Sequence, residues 1–467
     1  MNYWDLRKEI ARVVPRQTLL LREGHVQKEK GRKSNYRQFD LPSRQMLTME
    51  RLLDTEGIDS FAEVSLRAQS CPMPFNVDLY DGLTCPYRCR YCFADYFRHS
   101  LYTSFFDNSK SLGVRHCAED KWRAELDGLL PHVGEVIQGE NTVLNSVRLR
   151  IPIRLGIRFE DFSAVERKRG ISLKLLNYLA DAGYPTMINT KSDLVGEPEY
   201  VEALARNAGR AAVHITMISA DEDFNKLMEP GAPSFDRRID AAKRLTSAGV
   251  RVVARVEPWM AFLNDDKAAV DLYIDGLKYA GIRHMTFDSY SYSAYSKGIA
   301  SNFLSMDMDF DRMFLVSSDS QWLSSYLLGA FIDVFRSKGL SVSTFDQGNA
   351  PDNDDWICCS VGDWFGDIGA GFNWGCGVVA IRFIQSRGTV STRWSDFERF
   401  VQGKGGWLSS ALRREVQLLW NGVGDAAWPI YWARGIAPMG SDEDGLVWAY
   451  TGDDFRVRLL EGGMLDN

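Results

Sequence analysis

Three cysteines crowd into eight residues of this chain: Cys85, Cys89 and Cys92, inside the stretch TCPYRCRYCFADYF (Thr84–Phe97). Their spacing is Cys-x3-Cys-x2-Cys. Three thiolates on one short loop can hold three irons of a [4Fe–4S] cube. The fourth iron then lacks a protein ligand, and an open metal position is what a catalytic site needs. Zinc is the competing reading; it wants a fourth ligand, for which His99 and Cys117 are available. A looser group, Cys358, Cys359 and Cys376, lies in STFDQGNAPDNDDWICCSVGDWFGDIGAGFNWGCG (Ser343–Gly377). With Cys71 or Cys117 as a fourth ligand it would hold an auxiliary iron–sulfur cluster. Adjacent cysteines point opposite ways on a strand, so Cys358 and Cys359 on one cluster would require a tight turn. The alternative is ordinary buried or surface thiols.

The elements that must position the first cluster are readable around it. Strands are predicted at Asn76–Leu83, Val147–Leu155, Thr186–Thr190, Ala212–Ile218, Val250–Glu257 and His284–Ser289. Helical patterns lie between them at Ser172–Ala182, Glu197–Ala208, Ser234–Ala248 and Asp266–Tyr279, with glycines at 183, 209, 249 and 281 as stop signals. Such alternation implies an α/β fold, parallel strands with helices outside, and six units fit a partial (β/α)6 barrel. Sites in parallel α/β folds gather at the strand C-termini, where the cysteine loop falls. Three regions follow: a basic N-terminal arm and a helix near Ser43–Asp54 (residues 1–70), the partial barrel (71–300), and a capping or substrate region (301–467). The last is Trp-rich and largely helical in pattern; nine of thirteen Trp lie from Trp356 to Trp448, which reads mostly as core.

Composition sets the outer bounds. The 467 residues are 45% hydrophobic and 25% charged, as in a folded globular protein. No stretch approaches the ~20 uncharged apolar residues of a membrane span. The start, MNYWDLRKEIARVV, mixes acids and bases and is not a signal-peptide pattern, so a cytoplasmic, reducing setting is expected. Eight cysteines are too sparse for a disulfide scaffold, and clustered ones in that setting point to metal. The net charge of −7 hides an asymmetry: from Arg7 to Arg44 there are eleven Lys/Arg against four acids. A basic arm on an acidic body fits a polyanion partner, or else a solvated surface arm.

The cysteine spacing, Tyr91 before the third cysteine, and the place after the first strand resemble the radical S-adenosylmethionine (AdoMet, or SAM) superfamily. The stretches Pro152–Val195 and Met228–Asp265 resemble its branch of spore photoproduct lyase and DNA repair photolyase-like proteins. Thr190-Lys191-Ser192 and Glu229-Pro230-Gly231-Ala232-Pro233 carry much of that likeness, which covers about residues 75–290. The resemblance implies a [4Fe–4S] cluster on Cys85, Cys89 and Cys92, with AdoMet on the open iron. Reductive cleavage would give a 5′-deoxyadenosyl radical that abstracts hydrogen from a substrate. It implies a reductant such as flavodoxin or ferredoxin. Tyr91 would contact the adenine, Lys191 the AdoMet carboxylate, and Glu160 the ribose hydroxyls. Thr216 would assist AdoMet binding, and Arg255 with Glu257 would face the same cavity. Each has a plainer reading: a solvated lysine, a helix-start acid, a β-branched core residue, a structural ion pair.

Two departures matter. Where spore photoproduct lyase has a hydrogen-returning cysteine, this chain has Ile157, and where it has a tyrosine after the third cluster cysteine, this chain has Phe93. Neither side chain offers a weakly bound hydrogen. A lyase of that kind is therefore not expected; one of Cys358, Cys359 or Cys376 would have to supply the hydrogen, or the outcome differs. The leading expectation is a radical enzyme acting on a nucleic-acid base of thymine type, by modification, rearrangement or repair. The alternatives are a radical enzyme for a peptide or small metabolite, and a non-enzymatic metal-binding module.

Overall fold

The computed structural model describes residues 2–13, 47–48, 62–64, 75–77, 79–81, 85–92, 115–132, 150–157, 159–290, 313, 321–344, 354–355, 359–364, 377–403, 410–421 and 435–452. Seven strands lie side by side with every neighbouring pair parallel. They are β1 (Phe75–Val77), β2 (Ile153–Leu155), β3 (Thr186–Thr190), β4 (Ala211–Thr216), β5 (Arg251–Trp259), β6 (His284–Ser289) and β7 (Ser341–Thr344). This is the expected parallel α/β partial barrel with one more strand. The extra strand, β7, comes from beyond residue 300. Two short strands, Leu47–Thr48 and Ala62–Val64, continue the sheet antiparallel past β1. Leu47–Thr48 corrects the helix expected near Ser43–Asp54: those two residues pair with Glu63 and Val64 as sheet.

Helices connect the strands, and those at Ile171–Asp181, Pro198–Ala205, Phe235–Ser247 and Lys267–Ala280 lie where the periodicity places them. A helix α1 (Tyr3–Val13) opens the chain; α2 (Ile171–Asp181), α3 (Pro198–Ala205), α4 (Glu222–Met228), α5 (Phe235–Ser247), α6 (Lys267–Ala280) and α7 (Gln321–Arg336) follow. Their starts are chemically marked. Asp221, Ser234 and Asp266 accept hydrogen bonds from first-turn N–H groups of α4, α5 and α6, satisfying donors a helix start leaves open. Gly183, Gly249 and Gly281 follow α2, α5 and α6 with left-handed φ. Gly209 does not end a helix in that way; it lies inside a 3-10 turn, Ala208–Arg210.

Strand alternation divides the sheet into two faces. One carries Ile153, Leu155, Ile188, Val213, Ile215, Val252, Ala254, Val256, Met285, Phe287 and Val342. It packs against Leu175, Leu179, Leu204, Ile239, Leu245, Ile274, Leu277, Phe331 and Phe335 of the helices. The other, inner face is polar. Registered rows run Asn76–Arg154–Met187–Ala212–Arg251, then Asn189–His214–Val253–His284–Ser341, with Thr216–Arg255–Thr286–Ser343 one step nearer the strand C-termini. A sheet face this rich in buried polar groups is not a second hydrophobic core.

α1 is part of this body. Tyr3 is buried, its ring 4.8 Å from that of Phe331, and its hydroxyl donates to Asp265. Arg7 pairs with Asp265 at 3.2 Å and lies over the Phe262 ring. The tail holds α8 (Gly377–Ser386), α9 (Trp394–Gly403) and α10 (Ser410–Trp420), but also an antiparallel pair, β8 (Ile436–Asp442) and β9 (Gly445–Tyr450). Trp394, Trp420 and Trp448 are buried against one another and the hairpin, so these three are core, as the composition indicated. Among the described residues, no helix is long and apolar enough to cross a membrane.

Candidate active site: a cysteine loop docked beside Lys191

The cysteine loop follows β1 and comes to rest on the last residue of α4 and the segment after it. Arg90 N–H donates to Met228 O at 2.9 Å, and Gly231 N–H to Tyr87 O at 3.1 Å. Gly231 is required there: a Cβ at that position would lie 2.4 Å from Pro86 O and 2.8 Å from Tyr87 Cα. Within the loop, Arg88 N–H bonds Cys85 O and Cys92 N–H bonds Cys89 O, and Arg88 takes a left-handed φ of 49°. Cys89 is buried, while Cys85 and Cys92 are half-buried. Burial pushes the Cys89 thiol up; the Lys191 ammonium pulls it down and the Glu229 carboxylate pushes it up again.

A buried charge group joins the loop to the sheet. Tyr91 donates its hydroxyl to Glu229. Glu229 also pairs with Arg238, whose Nη2 is 2.6 Å from Glu229 Oε2, both side chains essentially solvent-free. Arg238 is further tied to Thr216 O and Pro233 O, each at 2.8 Å. The Lys191 ammonium stands 4.0 Å from Glu229 Oε1 and 5.5 Å from the Tyr91 ring centroid. Since Arg238 already balances Glu229, Lys191 brings a positive charge beyond that pair. A lysine ammonium beside a cysteine loop suits a carboxylate ligand.

The remaining expected residues fall on the same end of the sheet. Glu160 is buried and held by three donors: Thr190 Oγ1 at 2.7 Å, Lys191 N–H at 2.8 Å and Phe162 N–H at 3.1 Å. Burial pushes its carboxyl above the usual carboxylate range, against the pull of those donors. Glu160 thus fixes the backbone from which Lys191 projects. Gly156 lets the loop before Glu160 pass close over β3: its φ is 74° and a Cβ would lie 2.1 Å from Asn189 O. Thr216 is buried on the inner face, and Arg255, one strand on, pairs with Glu257. Ile157 follows Gly156 and is half-buried; Phe93 lies outside the described residues.

The second cysteine group is only partly described. Cys359 is buried, and its carbonyl lies 3.1 Å from His214 Nε2. A carbonyl only accepts, so His214 is the Nε2–H tautomer. Burial, with Arg255 nearby, lowers the His214 pKa to about 3. Cys358, Cys376 and Cys71 lie outside the described residues, as does most of the basic arm. Cys117 is buried in the helix-side core, and its N–H bonds Leu79 O. Among the described residues, no three His, Cys, Asp or Glu groups are arranged to hold a single ion. A cubane does not ask for that, because its three thiolates bind three different irons.

The residues missed by sequence reasoning are Glu229 and Arg238. Both sit in a stretch that resembles the family, yet nothing local marks them as partners of Tyr91 and Lys191.

A parallel sheet with helices on one face thus carries a three-cysteine loop at its C-terminal end, beside the Lys191 ammonium. Residues 80–267 match the Radical SAM superfamily. The family implies a [4Fe–4S] cluster and AdoMet; the three thiols and Lys191 are the residues that fit them. Two solved structures are also similar to this chain. A spore photoproduct lyase mutant with bound AdoMet and dinucleoside spore photoproduct is 16% identical, with TM-score 0.37, over 53% of this chain and 66% of that one. Streptococcus suis SuiB bound to precursor peptide SuiA is 16% identical, with TM-score 0.38, over 59% and 49%. The chain spans less than two thirds of the length of each. No curated protein matches.

Proposed function

We propose that this chain is a radical AdoMet enzyme acting on a nucleic-acid base, most simply a thymine-type base that is modified, rearranged or repaired. When bound, the cluster and AdoMet supply a 5′-deoxyadenosyl radical. The protein's own part is placement. Cys85, Cys89 and Cys92 hold the cluster, Lys191 takes the AdoMet carboxylate, and Glu160 holds the Lys191 backbone. Tyr91 offers its ring or backbone to the adenine, its hydroxyl being engaged by Glu229. Thr216 and Arg255 line the inner face toward the cofactor, and the polar rows below them receive the substrate. Buried polar walls favour a ligand with hydrogen-bonding edges over an alkyl one.

The observation carrying the substrate class is the run of eleven bases against four acids from Arg7 to Arg44, a footprint for phosphates. A flavodoxin- or ferredoxin-type reductant and a cytoplasmic, reducing setting complete the proposal. An auxiliary cluster on Cys358, Cys359 and Cys376 would show as about eight rather than four irons per chain. Deuterium tracing tests the substrate. Deuterated oligonucleotides, peptides and small metabolites are offered separately with AdoMet and reductant. Label entering 5′-deoxyadenosine from the oligonucleotide is expected; label entering only from peptide or metabolite overturns the base assignment.

A further inference from the structure

We propose that Glu229 is a positioning residue that, with Lys191, sets the net charge beside the cluster and so tunes its reduction potential. This rests on the cluster reading above. One carboxylate joins four elements: Tyr91 in the cysteine loop, Lys191 at the end of β3, Arg238 on α5 and, through Arg238, the last carbonyl of β4. Both Glu229 and Arg238 are essentially solvent-free, where charges are weakly screened. Tyr91 lies between Cys89 and Cys92, and Met228 O holds the loop by Arg90 N–H. Glu229 is therefore bound to the loop that carries the sulfurs by both side chain and backbone neighbours. Net charge and nearby hydrogen bonding are what set the potential of such clusters.

Lys191 is the movable member. Its ammonium is 4.0 Å from Glu229, at the outer limit of an ion pair, and is 20% exposed where Glu229 is closed to solvent. A ligand carboxylate can take Lys191 over without unseating Glu229, which keeps Arg238 and Tyr91. Before AdoMet arrives, Glu229 holds the lysine near its post; afterwards the negative charge of Glu229 remains against the loop.

The test is the midpoint potential of the reconstituted full-length protein without AdoMet, followed by EPR. Reduction adds negative charge to the cluster. Glu229→Gln removes a neighbouring negative charge and is expected to shift the potential positive. Lys191→Met removes a positive one and is expected to shift it negative. Glu229→Gln leaves Arg238 buried without its counter-charge and is the variant at risk of not folding. Lys191→Met alters only a partly exposed side chain, so its sign stands as a test alone. A purely structural role would leave both potentials at the wild-type value, and that result, or a positive shift in Lys191→Met, overturns the inference. A wild-type chain that loads no iron overturns the cluster reading first and this inference with it. Loaded iron with unmoved potentials overturns this inference only.

Discussion

Asn189 and Lys191 stand two residues apart at the end of β3, and they mark the two kinds of polar group this site contains. Lys191 has neighbours that explain it. Asn189 is buried, and neither its Oδ1 nor its Nδ2 has a hydrogen-bond partner among the described residues. Leaving such a group unsatisfied costs about 1–3 kcal/mol. Asn189→Leu, of similar volume, is therefore expected to stabilise the ligand-free protein by roughly 1 kcal/mol, read as a higher urea midpoint; a lower midpoint would show that the amide has a structural partner. The cysteine triplet was legible because its three thiols are neighbours in sequence. Glu229 was not, because it lies 138 residues from Tyr91, its hydrogen-bond partner. A carboxylate among Met, Pro and Gly shows nothing of its role until the fold brings it back onto the loop.

The strands and helices behave as coupled units, and two measurements address them. Arg238 ties α5 to β4 and to the segment after α4 through one buried guanidinium. Arg238→Met removes the partner of a solvent-free carboxylate and is expected to cost about 3–5 kcal/mol, measured by denaturant unfolding. A cost below about 1 kcal/mol, typical of exposed pairs, would contradict the buried clamp. His214 on β4 gives a pH signature. Its pKa falls from 6.5 unfolded to about 3 folded, so the unfolded chain binds the proton first. Its contribution is intact above pH 6.5 and is lost as pH falls toward 3, by up to about 1.4 kcal/mol per pH unit. His214→Gln keeps an N–H donor for Cys359 O and should flatten stability across that window. The central strands were legible from β-branched runs and from the helices between them. β7 was not: its sequence, Ser-Val-Ser-Thr, has four residues and three hydroxyls, and it joins the sheet through β6 rather than through any hydrophobic run of its own.

At the scale of the whole molecule, the N-terminus does two jobs that sequence alone merged. Tyr3 and Arg7 in α1 dock on Asp265, and Arg12 pairs with Glu9. A deletion from residue 1 would therefore damage the body as well as the arm. The cleaner test of the arm replaces the eight bases from Arg16 to Arg44 with Gln and leaves α1 intact. Thermal stability should hold, while binding to a DNA or RNA oligonucleotide should weaken. Its log–log salt slope should become shallower, by about 0.7–0.9 for each phosphate no longer neutralised. An unchanged slope would show that the arm does not engage a polyanion. The partial barrel was legible because alternation repeats six times; the tail's hairpin was not, because its Trp and Gly positions fit helix and strand alike. Everything rests on the cysteine loop being a catalytic cluster site, and one assay meets that claim directly. The anaerobically reconstituted protein is mixed with AdoMet and a strong reductant, and 5′-deoxyadenosine is quantified beside Cys89→Ala. The wild type is expected to form it and the variant to form none; no product from an iron-loaded wild type, or equal product from both, would contradict the account.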